Sequence, residues 1–152
     1  KADAYGRFLV EELKPFIDRT YRTEPSPDRT ALGGSSLGGL VTMYLGLAYP
    51  SVFGTLLVVS PSVWWDDMMI VKRVDGLDRR TSQRIWLDMG TNEGPGSVEQ
   101  ARALCDALVR KGWKAGVDLR FAEFAGAGHD ESAWAERFGQ MLQFAFPGRR
   151  AK

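Results

Sequence analysis

The stretch TLLVVS, residues 55–60, most limits what this chain can fold into. Leu56, Leu57, Val58 and Val59 follow one another without a polar residue between them. A strand of this kind has no wet face and must be covered above and below its sheet, as in parallel α/β sheets. The sequence supplies the cover. Leu37, Leu40, Met43, Tyr44 and Leu47 share one helical face, and Val98, Ala101, Leu104, Cys105 and Leu108 share another over residues 97–111. Trp134, Phe138, Met141, Leu142 and Ala145 stripe a closing helix that ends before Pro147. RIWLDMG (84–90) reads as a strand, RTAL (29–32) as a short one, and VDLRFAEF (117–124) alternates as an edge strand does. The order predicts an α/β fold: a parallel sheet of about four strands with right-handed crossovers and helices on both faces. DAYGRFLVEELK (3–14) predicts a further helix that Pro15 bends or ends, followed by a connection closing on the turn-rich TEPSPD. Residues 61–83 read as an irregular stretch long enough to be functional.

Composition narrows the function classes. The 152 residues suit one domain, and a formal net charge of +1 gives no field for nucleic acid. No run approaches 18 consecutive apolar residues, so no membrane-spanning helix is expected. One cysteine, Cys105, and one histidine, His129, exclude an internal disulfide and the usual zinc spacings. No metal or organic cofactor is expected. No secretory segment is visible, but the chain starts at Lys1 without a methionine, which leaves export open with a cytoplasmic setting preferred.

In open α/β sheets the chemistry gathers beyond the carboxyl ends of the strands. Three glycine-bearing segments fall there: ALGGSSLGGL (31–40), GTNEG (90–94) and AGAGHDES (125–132). The first is not a phosphate loop, because no lysine lies between Lys14 and Lys72. It is not a dinucleotide fingerprint, because Ser35 or Ser36 stands where the second glycine belongs. It does fit G-x-S-x-G as Gly34-Ser35-Ser36-Leu37-Gly38, the strained strand-to-helix turn that presents a nucleophile. Small residues two before and two after the serine are expected to let strand and helix approach closely. Ser36 is the nucleophile candidate. Ser35 cannot be, since Leu37 fills its glycine position, and it is kept as a substrate-binding candidate. The Leu37 N–H, at the start of a helix, is the oxyanion donor candidate.

A serine hydroxyl needs a base, and His129 is the only histidine. The acid is expected beyond the third strand, where Glu93 could orient the imidazole. Asp88 within the strand pattern is a second candidate, and Asp66 and Asp67 after the second strand are a third. Adjacent Trp64 and Trp65 divide between core and pocket: at least one is expected to pack inward, the other to line an acyl or aromatic pocket. Trp86, Trp113 and Trp134 are expected in the core.

The segment TALGGSSLGGLVTMYLGLAYPSVFGTLLVVSPSVWW (30–65) resembles the esterase branch of the α/β-hydrolase superfamily that holds S-formylglutathione hydrolase, feruloyl esterases and siderophore esterases. SPSVWW (60–65) is most similar to the siderophore-esterase members, and GTNEG and FAGAGHDES fall where that family keeps its acid and histidine. The resemblance implies a serine hydrolase on small-molecule carboxylic esters. A thioesterase, an acyltransferase or an inactive interaction fragment stand as alternatives on the same fold. The family's domain has several strands before the helix that opens this chain, and one of the early loops there supplies the second oxyanion donor. The chain is therefore expected to be the C-terminal part of such a domain. The strand edge near Thr30 is then open to pairing with a second copy.

Overall fold

The structure is a computed structural model and describes residues 1–148. The chain opens with α1 (Ala2–Arg7), runs through a π-helical segment (Phe8–Leu13) into α2 (Lys14–Thr20), and reaches β1 (Ala31–Ser35) after a single 3₁₀ turn. Then follow α3 (Leu37–Ala48), β2 (Thr55–Val59), α4 (Trp65–Asp75), β3 (Arg84–Gly90), α5 (Ser97–Arg110), β4 (Leu119–Phe124) and α6 (Glu131–Ala145). The strands pair in parallel in the order β1-β2-β3-β4. Both faces are covered, as the TLLVVS run requires.

Strand periodicity divides that cover. Leu56 and Val58 of β2 point into a core shared with Leu40 and Met43 of α3, Ile70 and Val74 of α4, and Leu104 and Leu108 of α5. Leu57 and Val59 point the opposite way, with Trp86 of β3 and with Met141 and Ala145 of α6. Most of the packing energy sits on the first face, where each fully buried aliphatic side chain contributes about 1.5–3 kcal/mol. The second face carries the buried Asp88–Arg137 pair.

Three expectations change. Pro15 does not end the first helix; it lies in the first turn of α2, preceded by the π-helical segment. The wider i→i+5 turn makes room for a ring that would otherwise strike the carbonyl of the preceding turn. Residues 61–83 are not irregular throughout, since α4 occupies Trp65–Asp75. Its start is unusual, with Asp66, Asp67 and Met68 all at positive φ, a region costly for residues with a Cβ. Phe138 and Leu142 of α6 are exposed, although the stripe of Trp134, Met141 and Ala145 is covered in part or whole. Phe138 instead borders a groove of about 480 Å³ between α6 and β1, lined also by Gly33, Gly34, Leu57 and Met141. β1 is the edge of the described sheet, so nothing in it covers that side of α6.

Candidate active site

β1 ends at Ser35 and α3 starts at Leu37, leaving Ser36 as the one residue of the turn. It sits at φ 59°, ψ −124°, a strained conformation for a residue with a side chain. Three backbone hydrogen bonds hold it there. Its N–H donates to the Val59 carbonyl at 3.0 Å, and its carbonyl accepts from Leu40 N–H and Ser62 N–H, each at 3.1 Å. The Leu37 N–H belongs to the first turn of α3, where amides have no intrahelical acceptor. The glycines around Ser36 divide differently from expectation. A Cβ on Gly34 would lie 2.8 Å from the backbone of Gly38, whereas a Cβ on Gly38 would meet nothing within 4 Å. A second tight helix-to-sheet approach is at Gly39, where a Cβ would lie 2.7 Å from the Val59 carbonyl oxygen.

His129 lies in the connection from β4 to α6. Asp130 next to it caps α6 by accepting from Ala133 N–H at 3.0 Å, which fixes the approach of the chain. The connections after β3 and β4 are laced together: Asn92 N–H donates to the Ala127 carbonyl at 3.0 Å, and Gly126 N–H to Thr91 Oγ1 at 2.8 Å. Across this seam His129 Nε2 comes 2.9 Å from Ser36 Oγ, and Nδ1 comes 2.7 Å from Glu93 Oε2. The Trp134 ring meets the imidazole edge-on, with centroids 5.1 Å apart. Ser36, His129 and Glu93 thus form one unbroken line of hydrogen-bonding groups from three separate elements.

The other carboxylates lie elsewhere. Asp88 is buried within β3, accepting from Trp86 Nε1 at 2.6 Å, Ser60 N–H at 3.1 Å and Arg137 Nη2 at 3.0 Å. Burial pushes its carboxyl above the ordinary value, although Trp86, Arg137 and Ser60 pull the other way. Asp66 and Asp67 are exposed at the start of α4, and Asp67 pairs with Lys72. Ser36, His129, Glu93 and Trp64 line a single cleft of about 560 Å³, together with Ser60, Pro61, Ser62 and Gln100. Trp65 stacks obliquely on Trp64, with ring centroids 5.7 Å apart. Both tryptophans are exposed, so neither packs into the core as one was expected to. Ser35 faces the groove beside α6 rather than the cleft. Trp86 and Trp113 are buried, while Trp134 is half-buried against the site. Among the described residues no cluster of three His, Cys, Asp or Glu side chains is placed to hold a metal ion.

Two side chains at the site escape a pattern reading. Ser60, the polar end of TLLVVS, adopts φ 40° and joins Glu93, Trp134 and Arg137. Arg137 is 1% exposed. Its signal was in the sequence, since it lies three residues after Trp134 and four before Met141, on a buried helical stripe. A cation on such a stripe needs buried anions, and Asp88 and Glu93 supply them.

A parallel sheet whose carboxyl edge carries a strained strand-to-helix serine places this fold in the α/β-hydrolase class. The chain belongs to the family described as "Putative esterase", whose sequence profile matches residues 1–145. It is 32% identical over 140 residues to the ferri-bacillibactin esterase BesA of Bacillus subtilis (strain 168), covering 84% of this chain and 46% of that protein. It is 38% identical over 146 residues to the iron(III) enterobactin esterase of Dickeya dadantii (strain 3937), covering 86% of this chain and 32% of that one. The crystal structure of the enterobactin esterase FES from Shigella flexneri in the presence of enterobactin superposes with a TM-score of 0.79 at 27% identity, over 95% of this chain and 36% of that one. The chain thus spans less than half the length of each of these three relatives.

Proposed function

We propose that this chain carries the catalytic centre of a serine hydrolase acting on carboxylic esters. The observation that carries the reading is the line from Ser36 Oγ through His129 to Glu93, with contacts of 2.9 and 2.7 Å. In this mechanism His129 Nε2 takes the hydroxyl proton as Ser36 Oγ attacks the ester carbonyl, then returns it to the departing alcohol. Glu93 accepts the hydrogen bond from the Nδ1–H, and the Leu37 N–H meets the developing oxyanion. Water then attacks the acyl-enzyme by the same proton transfers in reverse. Relatives named as esterases of bacillibactin and enterobactin support an ester of the siderophore type as the substrate class. The exposed Trp64 and Trp65 are suited to stack an aromatic acyl group. The free edge of β1, beside Thr30, supports pairing with a second copy of the chain, which sedimentation at several concentrations would detect.

Labelling with a fluorophosphonate probe tests the enzymatic reading. The expected adduct is a single one on Ser36, lost in Ser36→Ala and retained in Ser35→Ala. No adduct on the wild-type chain, or an adduct that survives Ser36→Ala, would overturn it.

A further inference from the structure

The hydrogen bonds behind Glu93 have only one consistent direction. Ser60 Oγ lies 3.0 Å from Trp134 Nε1, 2.6 Å from Arg137 Nη2 and 2.6 Å from Glu93 Oε1. A serine hydroxyl has one proton and two lone pairs, while indole and guanidinium nitrogens only donate. The two donors take the lone pairs, so the single Ser60 proton must point at Glu93 Oε1. The Gly90 N–H donates to the same oxygen at 2.5 Å, and Arg137 Nη2 stands 3.5 Å away. Oε1 is therefore an acceptor only, which leaves Oε2 alone to face His129 Nδ1.

We propose that Ser60, backed by Arg137 and Trp134 and assisted by the Gly90 N–H, is a positioning clamp. It fixes the orientation of Glu93 and thereby the tautomer of His129. With Oε1 saturated by donors, the imidazole proton sits on Nδ1 toward Oε2, and the Nε2 lone pair is turned to the Ser36 hydroxyl. The direction of every proton from Arg137 to Ser36 then follows from the donors gathered behind Glu93. The left-handed backbone of Ser60 is part of the device, because it turns the hydroxyl at the end of β2 across β3. The charged groups facing Glu93 are His129 from the β4–α6 connection and Arg137 from α6, with Asp88 of β3 sharing the same guanidinium. This inference rests on the esterase reading for its catalytic meaning, but the tautomer it predicts is measurable without turnover.

The test uses ¹⁵N-labelled protein, in which His129, the single histidine, gives one set of imidazole signals. In the wild type the neutral ring is expected to carry its proton on Nδ1. In Glu93→Gln only the amide oxygen can accept from both the Ser60 hydroxyl and the Gly90 N–H, so the amide NH₂ turns to His129 and the ring switches to the Nε2-protonated tautomer. Ser60→Gly keeps a residue that accepts positive φ and removes the CH₂OH group that carries the hydroxyl. Exchange of the Nδ1 proton should quicken, and kcat on an activated aryl ester should fall about ten- to hundredfold, the size of one lost hydrogen bond to a charged group. KM should change less than twofold. A residue that served stability alone would leave tautomer and proton exchange unmoved. If Ser60→Gly keeps wild-type exchange and kcat, or if Glu93→Gln keeps the Nδ1 proton, the clamp is refuted. Should Ser60→Gly fail to fold, the Glu93→Gln tautomer decides. Absence of phosphonate labelling in the wild type would refute the esterase reading instead, with the tautomer result unaffected.

Discussion

Gly38 and Gly39 are adjacent in the first turn of α3, just after Ser36, yet replacing each by alanine should move stability in opposite directions. At Gly39 the new Cβ would stand 2.7 Å from the Val59 carbonyl oxygen, 3.1 Å from Pro61 Cα and 3.2 Å from the Gly34 carbonyl oxygen. All three are backbone atoms of β1, β2 and the turn after it, so no flexible side chain can yield. Overpacking of this kind costs about 1–3 kcal/mol, against which the helix propensity of alanine returns at most about 1 kcal/mol. At Gly38 nothing lies within 4 Å of the new Cβ, so only the propensity gain remains. For a chain of this size each kcal/mol moves Tm by about 2–4 °C. Gly39→Ala should therefore melt several degrees below the wild type and Gly38→Ala level with it or up to about 4 °C above, followed by circular dichroism. The Gly39 variant should also label more slowly with fluorophosphonate, because the Val59 carbonyl it crowds is the acceptor that pins the Ser36 N–H. Equal shifts of the same sign for both glycines would refute the packing argument.

Three further outcomes are expected. Ser36→Ala should abolish turnover of an activated ester, while Ser35→Ala, whose side chain faces the groove beside α6, should keep at least about a tenth of it; the reverse result would mean that the register of the turn is wrong. Trp64→Ala should raise KM for aryl esters by about two- to tenfold, the worth of one aromatic contact, and shift stability by less than about 0.5 kcal/mol because the ring is exposed; a large loss of stability would return Trp64 to the core. Burial raises the Asp88 carboxyl, so the stability this group gives is full below the unfolded carboxylate value of about 3.9 and is lost as pH climbs through the higher native one. Asp88→Asn removes that slope, and the deficit of the variant in urea unfolding should narrow from about pH 4 upward; a deficit that widens would contradict the direction of the shift.

Much of this was legible in the sequence because the signals were local and periodic. TLLVVS demanded cover on two faces, and the structure divides Leu56 and Val58 from Leu57 and Val59 between two cores. The glycine spacing around Ser36 and the position of His129 at a strand end named two of the residues that meet within hydrogen-bonding distance, and Glu93 was the first of three acid candidates. What escaped was set by contacts distant in sequence or by unusual backbone. No propensity foretells three consecutive left-handed residues at the start of α4, and apolar character alone does not say that Trp64 and Trp65 are exposed. The role of Phe138 was misjudged because a helical stripe records which residues are apolar, not whether the sheet extends far enough to cover them. Gly39 was overlooked in favour of Gly38 because the motif counts positions, whereas the crowding depends on where β2 passes beneath the helix.

The division of labour between the two buried carboxylates follows from where each stands relative to the end of β3. Asp88 lies inside the strand, and the pleat sends its side chain to the same face as Trp86, toward α6. That direction is fixed by register, with Asp88 paired to Val59 on one side and Ala122 on the other. It serves what that face offers, which is Arg137, Trp86 Nε1 and the Ser60 N–H. Glu93 lies three residues beyond Gly90, free of the pleat, and folds back until its Oε1 meets the Gly90 N–H. Only a residue released from the ladder can turn one oxygen inward to the clamp and the other across to a histidine on a different connection. Asp88 stabilises the cation, the cation with Ser60 orients Glu93, and Glu93 faces His129. Removing Arg137 would therefore strand two buried carboxylates at once, a loss of about 3–5 kcal/mol for a broken buried pair. The site thus depends on α6 as much as on the glycine turn that first marks it in the sequence.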